Sequence, residues 1–370
     1  MDLLAAESKG WLHDWCVTLD VWLLWALCVA SIVSLVLGAD KTVSSAVRLA
    51  RRLGMSTVII GATVVSLGTT MPEMFTSVTA AFQGQSGLAL GNGVGSIICD
   101  TGLIFGLSCL LARLPLDRFV LNRHGWLQLG SGVLLAAICG VLALLAGSIG
   151  TPGLHSPEGA GTWNVIPRWV GLVLVALLVG YMYLSVRWAR RRPEIVMEAV
   201  EDVGIKPGVE ARVSVLGCSL VLVGGLALVA AGSNVLIPSV RVLAEEHYKV
   251  PKDFMAVTVV AFGTSLPELA TAIAAIRRGH EELLVGNIVG ADILNVLFVV
   301  GLSSCATRLQ IPPTFYMLHL PVMLAMLILL RIYIFTSGSS FRRWQGVPLV
   351  ALYVGYYASL VIFAPHLIGR

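Results

Sequence analysis

"TVVSLGTTMPEMFTSVTAAFQGQSGLALGNGVGSIICD" (63–100) and, 195 residues further on, "TVVAFGTSLPELATAIAAIRRGHEELLVGNIVGADILN" (258–295) align without a gap and share 16 of 38 positions. The shared positions are not only apolar: Thr69 matches Thr264, Glu73 matches Glu268, and Asn92 matches Asn287, with Pro72 over Pro267. Unrelated apolar segments would share hydrophobicity, not the order of their polar residues. The chain is therefore a duplication. A duplicated scaffold with no functional role is the plain alternative, and the retained polar residues argue against it.

Around these segments, 57% of the 370 residues are apolar, 12% are charged, and the mean hydropathy is +0.87. A soluble domain carries about twice that share of charge. Apolar runs of helix-spanning length recur at 20–38, 57–82, 87–112, 125–147, 166–187, 213–237, 254–276, 282–305, 314–335 and 346–366. Each is long enough for a helix to cross ~30 Å of hydrocarbon, and none alternates as a membrane β-strand would. The expected fold is an all-α integral membrane protein of ten transmembrane helices. Two five-helix halves are expected, 20–187 with the repeat 63–112 and 213–366 with the repeat 258–305, joined by a short linker at 188–212.

Charge says little about partners here. The basic residues of a membrane protein report orientation, so no nucleic acid is implied, and no obligate protein partner is evident. The seven cysteines have no CxxC spacing and read as packing residues. No cleavable leader is expected, since Lys9 is the only base among the first 19 residues.

Counted with the span ends beside them, the loops after odd-numbered spans hold 4, 3, 6, 2 and 3 Lys and Arg, against 1, 0, 1, 3, 1 and 1 on the other side with the termini included. That division, eighteen against seven, places the 188–212 linker in the cytoplasm and both termini outside. Five spans separate the two copies, so each crosses in the opposite sense, and the repeat has inverted topology. Halves related in this way can exchange inward-open and outward-open shapes around one central site.

Pro72 removes a backbone donor and frees carbonyls around 66–69, which hydrocarbon cannot satisfy. Thr69, Thr70 and Glu73 flank that break, as Thr264, Ser265 and Glu268 flank the other. On the next span Asn92, Ser96 and Asp100 share one helical face, and the second copy reads Asn287, Ala291, Asn295. Gly91, Gly95, Gly286 and Gly290 are small enough to let helices approach closely.

Glu73, Asp100, Glu268 and Asp292 thus sit at membrane depth with no Lys or Arg on their spans, Arg277 falling at a loop edge. An uncompensated Asp at a helix centre costs roughly 2.5–3.5 kcal/mol on insertion scales. Protons or mobile cations must compensate the four. The ligands are hard oxygens with no His in the transmembrane stretches of the repeats, which favours Ca²⁺ and Na⁺ over Zn²⁺ or copper, and flexible carboxylate sites suit Ca²⁺ better than Mg²⁺. No cofactor is implied. Thr76, Ser77 and Thr271 read as bonding within their own helix, Cys99 as packing about 100° around the helix from Asp100, and Asp20 as interfacial.

"GTTMPEMFTS…GNGVGSIICD" and "GTSLPELATA…GNIVGADILN" resemble the two α-repeats of the calcium/cation antiporter superfamily, in particular prokaryotic sodium/calcium exchangers. The resemblance implies a bacterial or archaeal inner membrane and electrogenic exchange of Na⁺ for Ca²⁺. It implies Ca²⁺ held by Glu73 and Glu268 with Thr69 and Thr264, and Na⁺ sites from those acids, Thr70, Ser265 and Ser96, and the carbonyls of Ser66 and Ala261. Asp100 and Asn295 match a central position shared by both halves. Three departures stand out: Ala291 where a serine is expected, Asp100 and Asn295 in the reverse order from some relatives, and Asp292 in place of an amide. Asp292 is open as a cation ligand, a proton acceptor or a pore-facing acid, with a modulatory role expected. The missing hydroxyl and added acid make H⁺/Ca²⁺ exchange the rival reading. A channel or an intramembrane protease are the readings from other classes; the protease needs paired aspartates where this chain has matched glutamates.

Overall fold

The computed structural model describes residues 11–53, 55–145, 164–189, 214–243 and 261–367. A short helix α1 (Trp11–Val17) precedes α2 (Val21–Leu53), and the first copy of the repeat follows as α3 (Thr57–Thr69), α4 (Met71–Phe82) and α5 (Ser86–Leu111). Next come α6 (Arg118–Leu145), α7 (Arg168–Ala189) and α8 (Val215–Val242). The second copy is α9 (Ala261–Thr264), α10 (Leu266–Arg277) and α11 (Glu281–Ala306), and α12 (Phe315–Thr336) and α13 (Gly346–Leu367) complete the order.

Every expected span has a helix at its position. Among the described residues seven helices are long and apolar enough to cross a membrane, and the α3–α4 pair, bent by 42°, makes an eighth. Residues 254–260 of the expected seventh span, and 190–212 of the expected linker, lie outside the described residues. The first span runs further than expected, to Leu53 rather than residue 38. No Gly or Pro interrupts 39–53, and buried Ala39, Val43, Ala46, Val47 and Ala50 keep helical spacing there. The all-α expectation also takes a small correction: β1 (Val165–Ile166) and β2 (Leu309–Gln310) form a two-residue antiparallel ribbon.

The outward faces are apolar, as lipid requires: Trp22, Val29, Ile32 and Val33 on α2, and Leu216, Leu220 and Val223 on α8, are all exposed. The centre is made by α5 and α11. Their apolar stretches are 78% and 94% buried, against 28% for α2 and for α8. The helices that carry the polar residues of the repeat are therefore the most buried of the candidate spans.

Where both copies are described, their elements correspond at the sequence offset. Met71–Phe82 matches Leu266–Arg277, π-helical turns at Cys99–Phe105 and Asn295–Val300 interrupt α5 and α11, and the turns before those helices use Gly84 (φ 77°) and Gly279 (φ 66°). Tight packing holds α11 against α3. A Cβ on Gly286 would lie 2.1 Å from the Val58 carbonyl oxygen, and one on Gly290 2.5 Å from that of Ala62. By the offset, the counterparts of Val58 and Ala62 are residues 253 and 257, which lie outside the described residues.

Candidate cation site

Pro72 and Pro267 do not merely break a helix; each starts one. They stand in the first turns of α4 and α10, where a missing N–H costs no helical hydrogen bond. Glu73 and Glu268 follow in those same first turns. A helix N-terminus carries partial positive charge, so both carboxylates are placed where a half-helix favours an anion without a basic side chain. The carbonyl that lacks its donor because of Pro72 is that of Gly68. Ser66, among the carbonyls expected to be freed, accepts the Thr70 N–H at 2.9 Å.

Two asparagines bring the copies together. Asn92 on α5 donates to the Glu73 carbonyl (3.0 Å) and Ser77 Oγ (2.9 Å), and its Oδ1 accepts from Thr264 Oγ1 of the other copy (3.0 Å). Asn287 on α11 donates to Thr271 Oγ1 (3.3 Å) and accepts from Thr69 Oγ1 across the copies (3.5 Å). Each asparagine thus clasps its own broken helix and the opposite threonine. Thr69 also bonds the Ser66 carbonyl at 3.3 Å. A hydroxyl whose hydrogen is spent on another oxygen keeps its lone pairs for a cation.

Around this clasp Glu73, Glu268, Asp100 and Asp292 are each at most 1% exposed. Eleven buried oxygens there have no hydrogen-bond partner among the described residues: both of Glu73, Glu268 and Asp100, with Asp292 Oδ1, Asn295 Oδ1, Thr70 Oγ1, Ser96 Oγ and Ser265 Oγ. Glu73, Glu268 and Asp100 interact electrostatically, and Asp292 reaches Asp100 and Glu268. The Thr69 and Thr70 hydroxyls lie beside Glu268, and Ser265 lies beside Asp100, so hydroxyls of one copy serve acids of the other. Buried ionised oxygens without partners are costly; a bound cation removes that cost. Among the described residues no three His, Cys, Asp or Glu side chains close on one point as a preformed metal centre would. The arrangement instead mixes carboxylates with hydroxyls, amide oxygens and carbonyls, the hard donors that Ca²⁺ and Na⁺ take.

Of the expected site residues, Ala261 opens α9, and Ala291, fully buried, offers no side-chain oxygen. Thr271 bonds the Glu268 carbonyl within its own helix, as expected, and Cys99 packs against the Tyr353 hydroxyl at 3.9 Å. All seven cysteines are free. Three polar residues bear on the site without having been singled out. Thr101 and Gln128 bond Asp292, and Tyr181 on α7 donates to the Ala62 carbonyl at 2.7 Å, inside a π-helical turn at Gly61–Val65. Their signal was a lone polar group in an apolar run, which spacing alone does not connect to anything. Arg331, inside the expected ninth span at 314–335, lies within α12, bonds Asn122, and stacks its guanidinium 4.3 Å over Trp126.

Comparison with known proteins identifies the architecture. The family model described as sodium/calcium exchanger protein matches residues 23–187 and again 218–362. The chain belongs to the sodium/calcium exchanger family. This exchanger is 30% identical to inner membrane protein YrbG of Escherichia coli (strain K12) over 348 residues, 93% of this chain and 98% of that one. It is 28% identical to sodium/calcium exchanger MaX1 of Methanosarcina acetivorans over 350 residues, 90% and 97% of the two chains. It also matches a structure of the sodium-calcium exchanger NCX_Mj soaked with 10 mM Na⁺ and 10 mM Sr²⁺, with TM-score 0.70 and 27% identity, covering 92% of this chain and 99% of that one. The exchanger is accordingly a helical membrane antiporter of the calcium/cation type and not an enzyme.

Proposed function

We propose that this exchanger moves Ca²⁺ against Na⁺ by alternating access at a site between two inverted five-helix halves, 20–187 and 213–366. The observation that carries the reading is the set of eleven unpartnered buried oxygens drawn from both copies of the repeat. Glu73 and Glu268 with the oxygens of Thr69 and Thr264 would bind Ca²⁺. Those acids with Thr70, Ser265, Ser96 and the carbonyls of Ser66 and Ala261 would supply the Na⁺ positions, Asp100 and Asn295 the central position shared by both halves, and Asp292 a modulatory acid open as a cation ligand, a proton acceptor or a pore-facing group. Full burial of the four acids suits an occluded intermediate, the state that separates exchange from open diffusion. The distribution of basic residues supports both termini outside and the linker in the cytoplasm.

Proton coupling is the second reading, favoured by one observation: next to each other on α11, Ala291 lacks a hydroxyl and Asp292 adds an acid. Calcium uptake into proteoliposomes, driven separately by an outward Na⁺ gradient and by a pH gradient, decides between them. Uptake that follows Na⁺ supports Na⁺/Ca²⁺ exchange. Uptake indifferent to Na⁺ but driven by pH replaces it with H⁺/Ca²⁺ exchange, and flux uncoupled from both gradients refutes antiport altogether.

A further inference from the structure

Asp292 differs from the other three buried acids in that one of its oxygens is held. Its Oδ2 accepts Thr101 Oγ1 at 2.5 Å and Gln128 Nε2 at 2.6 Å, while Oδ1 has no partner among the described residues. Thr101 follows Asp100 in the π-helical turn of the first copy, whereas Gln128 comes from α6, outside both copies. Position 292 corresponds to Ile97 at the repeat offset, so nothing in the first copy mirrors this clamp. The helix that supplies Gln128 is itself braced against the site. One turn earlier on α6, His124 Nδ1 meets the Tyr181 hydroxyl at 3.3 Å, and Tyr181 donates to the Ala62 carbonyl on α3.

Two donors on one oxygen stop the carboxylate from turning. Oδ1 is then the only oxygen of Asp292 left to interact, within electrostatic reach of Asp100 and Glu268. Adjacent Ala291 stands where the first copy has the unpartnered hydroxyl of Ser96. One oxygen is absent at 291 and one is present at 292, a shift of about 100° around the helix that needs an external hold to bring it to bear on the site.

We propose that Thr101 and Gln128 are positioning residues: by holding Oδ2 they present Asp292 Oδ1 as an additional cation ligand on the Asp100 side of the site, offsetting the hydroxyl absent at Ala291. The inference rests on the reading of Glu73, Glu268 and Asp100 as the cation site. Partners that orient a metal ligand are typically worth about 10–100-fold in affinity. Because Gln128 belongs to α6, this clamp also makes a helix outside the repeats part of what sets affinity.

The test measures ⁴⁵Ca²⁺ uptake against Ca²⁺ concentration in proteoliposomes, under whichever gradient drives the wild type, together with Ca²⁺ protection of the purified protein from thermal unfolding. Thr101→Val and Gln128→Leu should each raise the half-saturating Ca²⁺ about tenfold with maximal rate nearly unchanged, and Thr101→Ser should restore wild-type behaviour. Asp292→Asn should show the same loss, and adding Gln128→Leu to it should change nothing further. Wild-type affinity in Thr101→Val and Gln128→Leu overturns the proposal. So does an equal effect of Gln128→Leu with and without Asp292→Asn, which would place its action in packing. If Gln128→Leu fails to fold, the Thr101→Val and Thr101→Ser pair decides. Wild-type protein that is not protected by Ca²⁺, or Glu73→Gln that is protected as well as wild type, refutes the underlying cation site instead.

Discussion

Gly290→Ala tests whether helix packing and cation affinity are one property. The added Cβ would lie 2.5 Å from the Ala62 carbonyl oxygen, 2.6 Å from its Cα and 2.7 Å from its carbonyl carbon, all backbone atoms that cannot swing aside as a side chain would. Ordinary contact begins at 3.4 Å, so α11 must retreat from α3 by about 0.9 Å, the difference between 3.4 and 2.5 Å. Overpacking of this kind costs about 1–3 kcal/mol. The functional cost is sharper, because Ca²⁺–oxygen distances tolerate only about 2.3–2.6 Å. A displacement about three times that tolerance would carry Asn287, Asp292 and Asn295 off the site with the helix. The expected result is a lower unfolding temperature and at least a tenfold rise in half-saturating Ca²⁺ in proteoliposome uptake. Gly180→Ala is the control: its Cβ meets nothing within 4 Å, and on α7 it should leave both readouts intact. Wild-type affinity in a destabilised Gly290→Ala would refute the link between packing and the site; wild-type stability would refute the packing argument itself.

Glu73→Gln and Glu268→Gln each remove a buried carboxyl group without a hydrogen-bond partner among the described residues, so both should abolish gradient-driven Ca²⁺ uptake while the purified protein stays monodisperse on size exclusion. Ala291→Ser restores a hydroxyl opposite Ser96 on the fully buried face of α11, and should lower the Na⁺ concentration that half-inhibits Ca²⁺ uptake; no change would remove this position from Na⁺ binding. Tyr181→Phe strips the Ala62 carbonyl of its donor in the π-helical turn, costing about 1–3 kcal/mol for a buried unsatisfied group, read as a fall in unfolding temperature that Gly180→Ala does not show.

The duplication, the membrane class, the broken helices and the matched glutamates were legible from residue order, because each follows from local rules. Twenty apolar residues must span, a proline must break or begin a helix, and a shared order of polar residues must descend from one copy. The extent of α2 was not legible, since its apolar run ends near residue 38 and only tertiary burial of Ala39, Val43, Ala46 and Ala50 keeps helical structure worthwhile to Leu53. The setting of Arg331 was not legible for a similar reason: a cation within a span is tolerable when groups such as Asn122 and Trp126 stand beside it, and those residues are some two hundred positions away.

The site divides in the same way. Sequence determined which oxygens are available, because charge and hydropathy along a span are properties of the chain itself. Tertiary structure decided which of them are spent. Asn92 and Asn287 occupy the hydrogens of Thr264 and Thr69 across the copies, while Thr101 and Gln128 occupy one oxygen of Asp292 and leave the other free. Hydrogen bonds between residues remote in sequence carry no periodicity and leave no spacing to read, and in a medium without water they alone determine which buried oxygens remain for a cation.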